Sequence, residues 1–311
     1  MGQDTSPANS VHASNGTRAA TSRSPLRQMI SALLGDRLAL VGIIVVAIFV
    51  IAAVLAPLIV PQNPYDLAQL DILDGRLVPG STSTSGMVYL LGTDDQGRDL
   101  FSAILYGLRT SLLVGISSAA IALVIGASLG LTSAYVGGRL DAVLMRIVDI
   151  QLSFPAILIA LIFLAILGQG VDKIILALVV TQWAYYARTI RGSALVERKR
   201  AYVDAARSMA LPDRSILFRH ILPNCLPPLI VVVTMRVAYA IMLEATLSFL
   251  GIGLPVTQPS LGLLISNGFE YLLSGDYWIS FFPGFALLLL IVAINLIGDA
   301  LRDILNPRRE G

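Results

Sequence analysis

"YVDAARSMALPDRSILFRHILP", Tyr202 to Pro223, is a charged stretch inside an oily chain. It holds Arg207, Arg214 and Arg219, the acids Asp204 and Asp213, and prolines at 212 and 223. From Val203 to Met209 it reads as a short helix: Asp204 near the start suits the helix dipole, and Ala205, Ala206 and Arg207 are adequate or good helix formers. Ala210-Leu211-Pro212 ends that helix, because proline disfavours α geometry in the residue before it. Asp213 then stands where it can cap a second helix, "RSILFRHIL", which Pro223 closes. Ala205 and Ala206 leave one side of the first helix almost bare, open to close approach by another protein. A basic loop resting on lipid headgroups would carry similar charge, so charge alone leaves both readings open.

The surroundings explain why such a fragment stands out. Of 311 residues, 56% are hydrophobic and only 14% charged, with mean hydropathy +0.78. A soluble domain carries about 25% charged residues, so this chain cannot cover itself with polar side chains. The expected fold is an all-α polytopic membrane protein. Six runs reach the length of roughly 20 apolar residues that a bilayer crossing needs: 38–60, 111–136, 143–167, 173–194, 226–250 and 283–304. Arg146 and Asp149 open the third, which Pro155 kinks, and Arg188 and Arg191 close the fourth.

Cation placement sets the orientation. With the N-terminus inside, only Arg76, Arg98, Arg109 and Lys173 fall outside, while the other loop and tail cations are cytoplasmic. Both termini are therefore expected in the cytoplasm, and the charged loop, about 195–225, lies there between spans four and five. Residues 1–36, rich in Ser, Thr, Asn and Ala, read as a disordered cytoplasmic tail. Residues 37–110 read as the first span with an extracytoplasmic segment and an interfacial helix, and 111–308 as a core with the other five spans. In "LGTDDQGRDLFSAIL", Thr93 or Asp94 can cap the interfacial helix, with Asp94, Asp95 and Asp99 in its first turn. Leu100, Ile104, Leu105 and Leu108 then share one side. Gly92, Thr93, Asp94, Gly97, Arg98 and Asp99 form the motif leading into span two.

Several chemistries find no footing. A net charge of +2 does not argue for nucleic acid. Cys225 is the single cysteine, and His12 and His220 lie in the tail and the loop, so no disulfide, metal cluster or intramembrane Ser–His dyad is expected, and no cofactor. Neither Lys173 nor Lys199 follows a glycine, so no phosphate-binding loop is present and the energy source must be another chain or an ion gradient. Asp149, Arg236, Glu244 and Asp299 lie within spans and are functional candidates by position. Arg146–Asp149 and Asp299–Arg302 have the spacing of helix-surface pairs, and Glu244, near the outer end of span five, is expected within reach of water.

"DAARSMALPDRSILFRHILPN" resembles the Glu-Ala-Ala loop of ATP-binding-cassette importer permeases. Asp204-Ala205-Ala206 matches with Asp for Glu, "RHILPN" from Arg219 matches the closing end, and Ala210 stands where the family has glycine. If that glycine is a left-handed terminator, alanine there costs about 1–2 kcal/mol; otherwise Pro212 makes the turn differently. "LGTDDQGRDLFSAILYGLRTSLLVG" from Leu91, "YVGGRLDAVLMRIVDIQLSFP" from Tyr135, "EATLSFLGIGLP" from Glu244 and "FFPGFALLLLIVAINLIGDALRDILNPR" from Phe282 are similar to the dipeptide/oligopeptide/nickel permease group, in particular its second permease subunit. Leu261 departs from a frequent tryptophan.

The resemblance, over about 37–308, implies the type I importer permease fold in a bacterial plasma (inner) membrane. It implies a second homologous permease, two ATP-binding subunits and an extracytoplasmic solute-binding protein as partners. It also implies that Asp204, Ala205, Ala206, Arg207, Ala210, Pro212, Asp213, Arg219, Leu222 and Pro223 form the loop that docks on the ATPase. Ala206→Glu is then expected to leave the chain inserted but uncoupled. A nickel or other small-solute importer, a proton-coupled secondary transporter and a membrane scaffold are the alternatives.

Overall fold

A computed structural model describes residues 31–66, 68, 70–83 and 86–305. Most of the tail and Arg308 and Arg309 lie outside the described residues. Among the described residues, nine helices of eight or more residues carry the fold: α1 (Arg37–Ile59), α2 (Leu100–Val136), α3 (Gly138–Ser153), α4 (Ala156–Leu167), α5 (Val171–Glu197), α6 (Ala201–Ser208), α7 (Leu222–Phe249), α8 (Leu261–Phe269) and α9 (Trp278–Leu305).

Among the described residues, four helical runs are long and apolar enough to cross a membrane: α1, α2, the run Asp213–Phe249 that contains α7, and α9. The count reaches five if α3 and α4 make one crossing. The expected six is met in part, and the difference lies at two places. The third run is not one helix, because the chain bends by 91° between Ser153 and Ala156. Phe154, which precedes Pro155, takes extended angles (φ −95°, ψ 142°), as the clash with the proline ring demands. The fourth run sits inside α5, which is 27 residues long and carries Asp172, Lys173, Arg188, Arg191 and Glu197; by length and composition it is not among the four.

The second span is also longer than expected. No separate interfacial helix precedes it; one 37-residue helix starts at Leu100, and Asp99, not Thr93 or Asp94, is its cap, accepting from the Ser102 amide at 2.9 Å. Leu100, Ile104, Leu105 and Leu108 are all buried, packed with Ile241, Leu264 and Leu290.

The bundle is held by close backbone approach. Water-driven burial cannot press one helix on another inside lipid, so small residues at the crossings do that work. Gly126 and Gly130 of α2 lie directly on the backbone of α5. α1 differs: Val41, Ile44, Ile48, Ile51, Val54 and Leu58 are exposed along it, as a helix bathed in lipid requires.

Candidate functional site

The charged loop folds into α6, a tight turn, and a helical run that begins at Asp213 and continues into α7. α6 ends in a Schellman turn: Leu211 N donates to Ala206 O at 3.2 Å and Ala210 N to Arg207 O at 2.9 Å. Ala210 occupies the left-handed position, φ +55°. The glycine-type turn is therefore kept with alanine in it, and Pro212 does not substitute for it. We expect Ala210→Gly to stabilise the turn by about 1 kcal/mol, read as a higher Tm of the detergent-solubilised protein with transport retained.

Two sequence expectations fail here. Asp213 does not cap the second helix: Pro212 holds the cap position with no side-chain bond, and Asp213 accepts the Tyr135 hydroxyl instead. Pro223 does not close that helix either. Ile216–Ile221 hydrogen-bonds as a π turn, so the missing amide of Pro223 falls where the ladder is already re-registered. The His220 carbonyl accepts from Asn224 Nδ2 at 2.7 Å.

One side of the loop is its own core. Val203, Ala206, Ile216, Ile221 and Cys225 are buried together with Leu131 of α2 and Tyr186 and Ile190 of α5. Ala206 is 5% exposed, so it packs inward and is not part of a bare outer face. The outer face is Asp204, Ala205, Arg207, Ser208 and Met209, the last 74% exposed. Beyond the turn, Pro212, Asp213, Arg219 and Pro223 are also exposed, and Leu222 is half-buried.

Polar contacts fasten this unit to the span ends. Tyr135, at the end of α2, bonds Asp213 and lies under the guanidinium groups of Arg207 (5.7 Å) and Arg198 (6.0 Å). Arg198 donates to Ala134 O at 2.8 Å. Tyr202 donates to Glu197 Oε2 at 2.7 Å; burial first, then that carboxylate, raise its pKa, which keeps it a neutral donor. Nearby, Arg191 grips Asp141 with Nε and a terminal nitrogen at 2.5 and 2.6 Å, and Ser133 donates to the same carboxylate. Thus α2, α3 and α5 are tied at one end.

The motif leading into α2 is a packed clasp. Gly92, Thr93, Asp94, Gly97, Arg98 and Asp99 are all buried. Arg98 Nε donates to Asp94 Oδ2 at 2.8 Å with the two side chains 1% and 0% exposed, and Arg98 also reaches Val256 O at 3.2 Å. Gly97 has φ +75°, and a Cβ there would sit 2.0 Å from Asp71 O. Asp74, buried beside it, accepts from Ser83 Oγ at 2.6 Å and Tyr89 Oη at 3.0 Å. These residues tie the start of α2 to the segment that precedes it. Arg98→Ala should cost about 3–5 kcal/mol by stranding the Asp94 charge, seen as rapid proteolysis of the 61–99 segment in otherwise inserted protein.

Charges within the helices are arranged differently from their sequence spacing. Asp149 pairs with Arg188 of α5, not Arg146. Asp299 and Arg302 are both exposed and form no ion pair with each other. Glu244 is not wetted: it is 0% exposed and accepts from Ser111 Oγ and Ser248 Oγ, each at 2.8 Å.

A family described as the binding-protein-dependent transport system inner membrane component matches residues 122–311, the segment that contains the loop and all its anchors. The chain belongs to this permease family. Residues 24–79 match a second family, the N-terminal transmembrane domain of oligopeptide transport permease C. A putative peptide transport system permease protein of Brucella suis is 43% identical over 268 residues, 86% of this chain and 87% of that one. A dipeptide transport system permease protein of Alkalihalophilus pseudofirmus is 35% identical over 93% of this chain and 92% of its own length. A probable D,D-dipeptide transport system permease protein of Escherichia coli is 36% identical over 89% and 90%. Inward-facing structures of the methionine ABC transporter MetNI share the fold, with a TM-score of 0.53 at 21% identity over 65% of this chain and 96% of that one.

For a permease of this family, the anchors Tyr135, Asp141 and Arg191 are residues that loop-centred reading missed. Tyr135 and Asp141 stand in the "YVGGRLDAVLMRIVDI" motif, a position that could have flagged them.

Proposed function

We infer that this permease is half of the translocation pathway of an ATP-driven importer for dipeptides or oligopeptides. It pairs with a second homologous permease, two ATP-binding subunits and an extracytoplasmic solute-binding protein. Six crossings, with α5 and the bent α3–α4 pair added to the other four, would leave both termini and α6 on one side, and the cation bias makes that side the cytoplasm. The carrying observation is the two-sided loop: Asp204, Ala205, Arg207 and Met209 face outward, while Val203, Ala206 and Ile216 lock the other side to α2 and α5. A partner pushing on the outer face moves the spans with it. The peptide substrate is supported by relatives of near full length that are named for peptide transport.

Proton coupling is disfavoured, because it needs a titrating acid open to water deep in the membrane, and Glu244 is sealed by Ser111 and Ser248. Purification in mild detergent tests the proposal. Copurification of two nucleotide hydrolases, a second permease and a peptide-loaded binding protein is expected. Peptide uptake that continues with no hydrolase bound would defeat it.

A further inference from the structure

Arg236 lies near the midpoint of α7, about 20 Å from either end at 1.5 Å per residue. A guanidinium at that depth cannot face hydrocarbon without a large cost, so it must look into protein or a water-filled space. It looks into a cavity of about 420 Å³ whose walls include Tyr185, Met235, Tyr239, Met242 and Asn295. The Tyr185 ring stacks on its face at 3.4 Å and the Tyr239 ring lies at 5.3 Å. Among the described residues no carboxylate lies within ion-pair distance of Arg236. Rings that hold the flat face leave the N–H edge for an anion, which a guanidinium binds best as a bidentate carboxylate.

The geometry points to Arg236 as the subsite for the terminal carboxylate of the transported peptide, an inference that rests on the peptide-importer reading. Its surroundings fit a ligand that varies everywhere except at its ends. Met235 and Met242 are unbranched and polarizable walls that accept side chains of different shape. The cavity also falls within the 300–1,000 Å³ typical of small-molecule sites. Arg236 would then read one of the two end groups that peptides share. The stacked rings fix the cation, so it selects charge without gripping any particular residue.

The test uses the complete importer in proteoliposomes, with its own binding protein, carrying wild-type permease, Arg236→Gln or Arg236→Lys. Uptake of alanylphenylalanine and of its C-terminal amide is measured. The same binding protein serves every complex, so its preference cancels when each variant is compared with wild type. The free acid should fall at least tenfold in Arg236→Gln, recover in part in Arg236→Lys, and the amide should change less than twofold. Binding-protein-stimulated ATP hydrolysis and copurification of the second permease should persist. Equal loss for acid and amide, unchanged uptake of both, or loss of the second permease on purification overturns the assignment; the last result would make Arg236 a seam residue between subunits. Wild-type complex that takes up neither compound, nor any longer peptide, defeats the peptide-importer reading itself.

Discussion

Gly130→Leu is expected to remove most folded protein from the membrane. On α2, a Cβ at position 130 would lie 2.2 Å from Ala187 O and 2.5 Å from Ile190 Cγ2; at position 126 it would lie 2.3 Å from Trp183 O. The obstructing atoms are mainly backbone of α5, which no side-chain rotation can move. The helices must separate, and Leu131, Tyr186 and Ile190 lose their packing together. A strain of this type costs about 3 kcal/mol or more, a large share of typical domain stability. Gly130→Ala should show a smaller loss in the same direction. Gly192 of α5 meets nothing within 4 Å of its would-be Cβ, so Gly192→Ala serves as the neutral control. Yield of monodisperse, protease-resistant protein reads all three. A well-folded Gly130→Leu protein would mean that α2 and α5 do not cross as described.

Ala205→Glu should leave a folded, inserted permease that transports at least about tenfold more slowly. Ala205 is exposed on α6 beside Asp204 and Arg207, so a glutamate there disturbs nothing in this chain. It places a carboxylate where a docked partner would bury it without a counter-charge, which costs several kcal/mol. ATPase copurification should weaken in step with uptake. Ala206→Glu, expected from sequence to give this clean uncoupling, should instead disorder the loop. Its Cβ packs among Val203, Leu211 and Ile216. The pair of variants therefore separates docking from folding. Wild-type uptake by Ala205→Glu would exclude this face of α6 as the contact.

The sequence reading went furthest where one dimension decides. Apolar runs located α1, the second half of α2, α7 and α9 to within a few residues, because crossing a bilayer is a matter of length and composition. Pro155 announced a kink, but the 91° angle depends on what α4 packs against. Ala210 shows the same limit: the pattern pointed at a glycine-type turn, and only the backbone angles revealed that alanine keeps it. Spacing misled for Asp149, whose partner Arg188 is on another helix, and for Glu244, whose hydroxyl donor Ser111 comes from α2. The clasp residues Gly92 to Asp99 were visible as a motif, yet their burial comes from residues such as Asp71, Asp74 and Leu77 packing over them.

The unbroken helical run from Asp213 to Phe249 carries the loop at one tip, Arg236 midway and Glu244 near the far tip. If the π turn at Ile216–Ile221 and the prolines at 227 and 228 stay stiff, such a piece is an oar whose blade and handle move together. With Glu244 clamped at the rowlock, a swing of about 10° would sweep the Asp213 end by roughly 8 Å, at 1.5 Å of rise per residue. The Arg236 guanidinium would be carried through a part of that arc, so the stroke would also move the walls of its cavity.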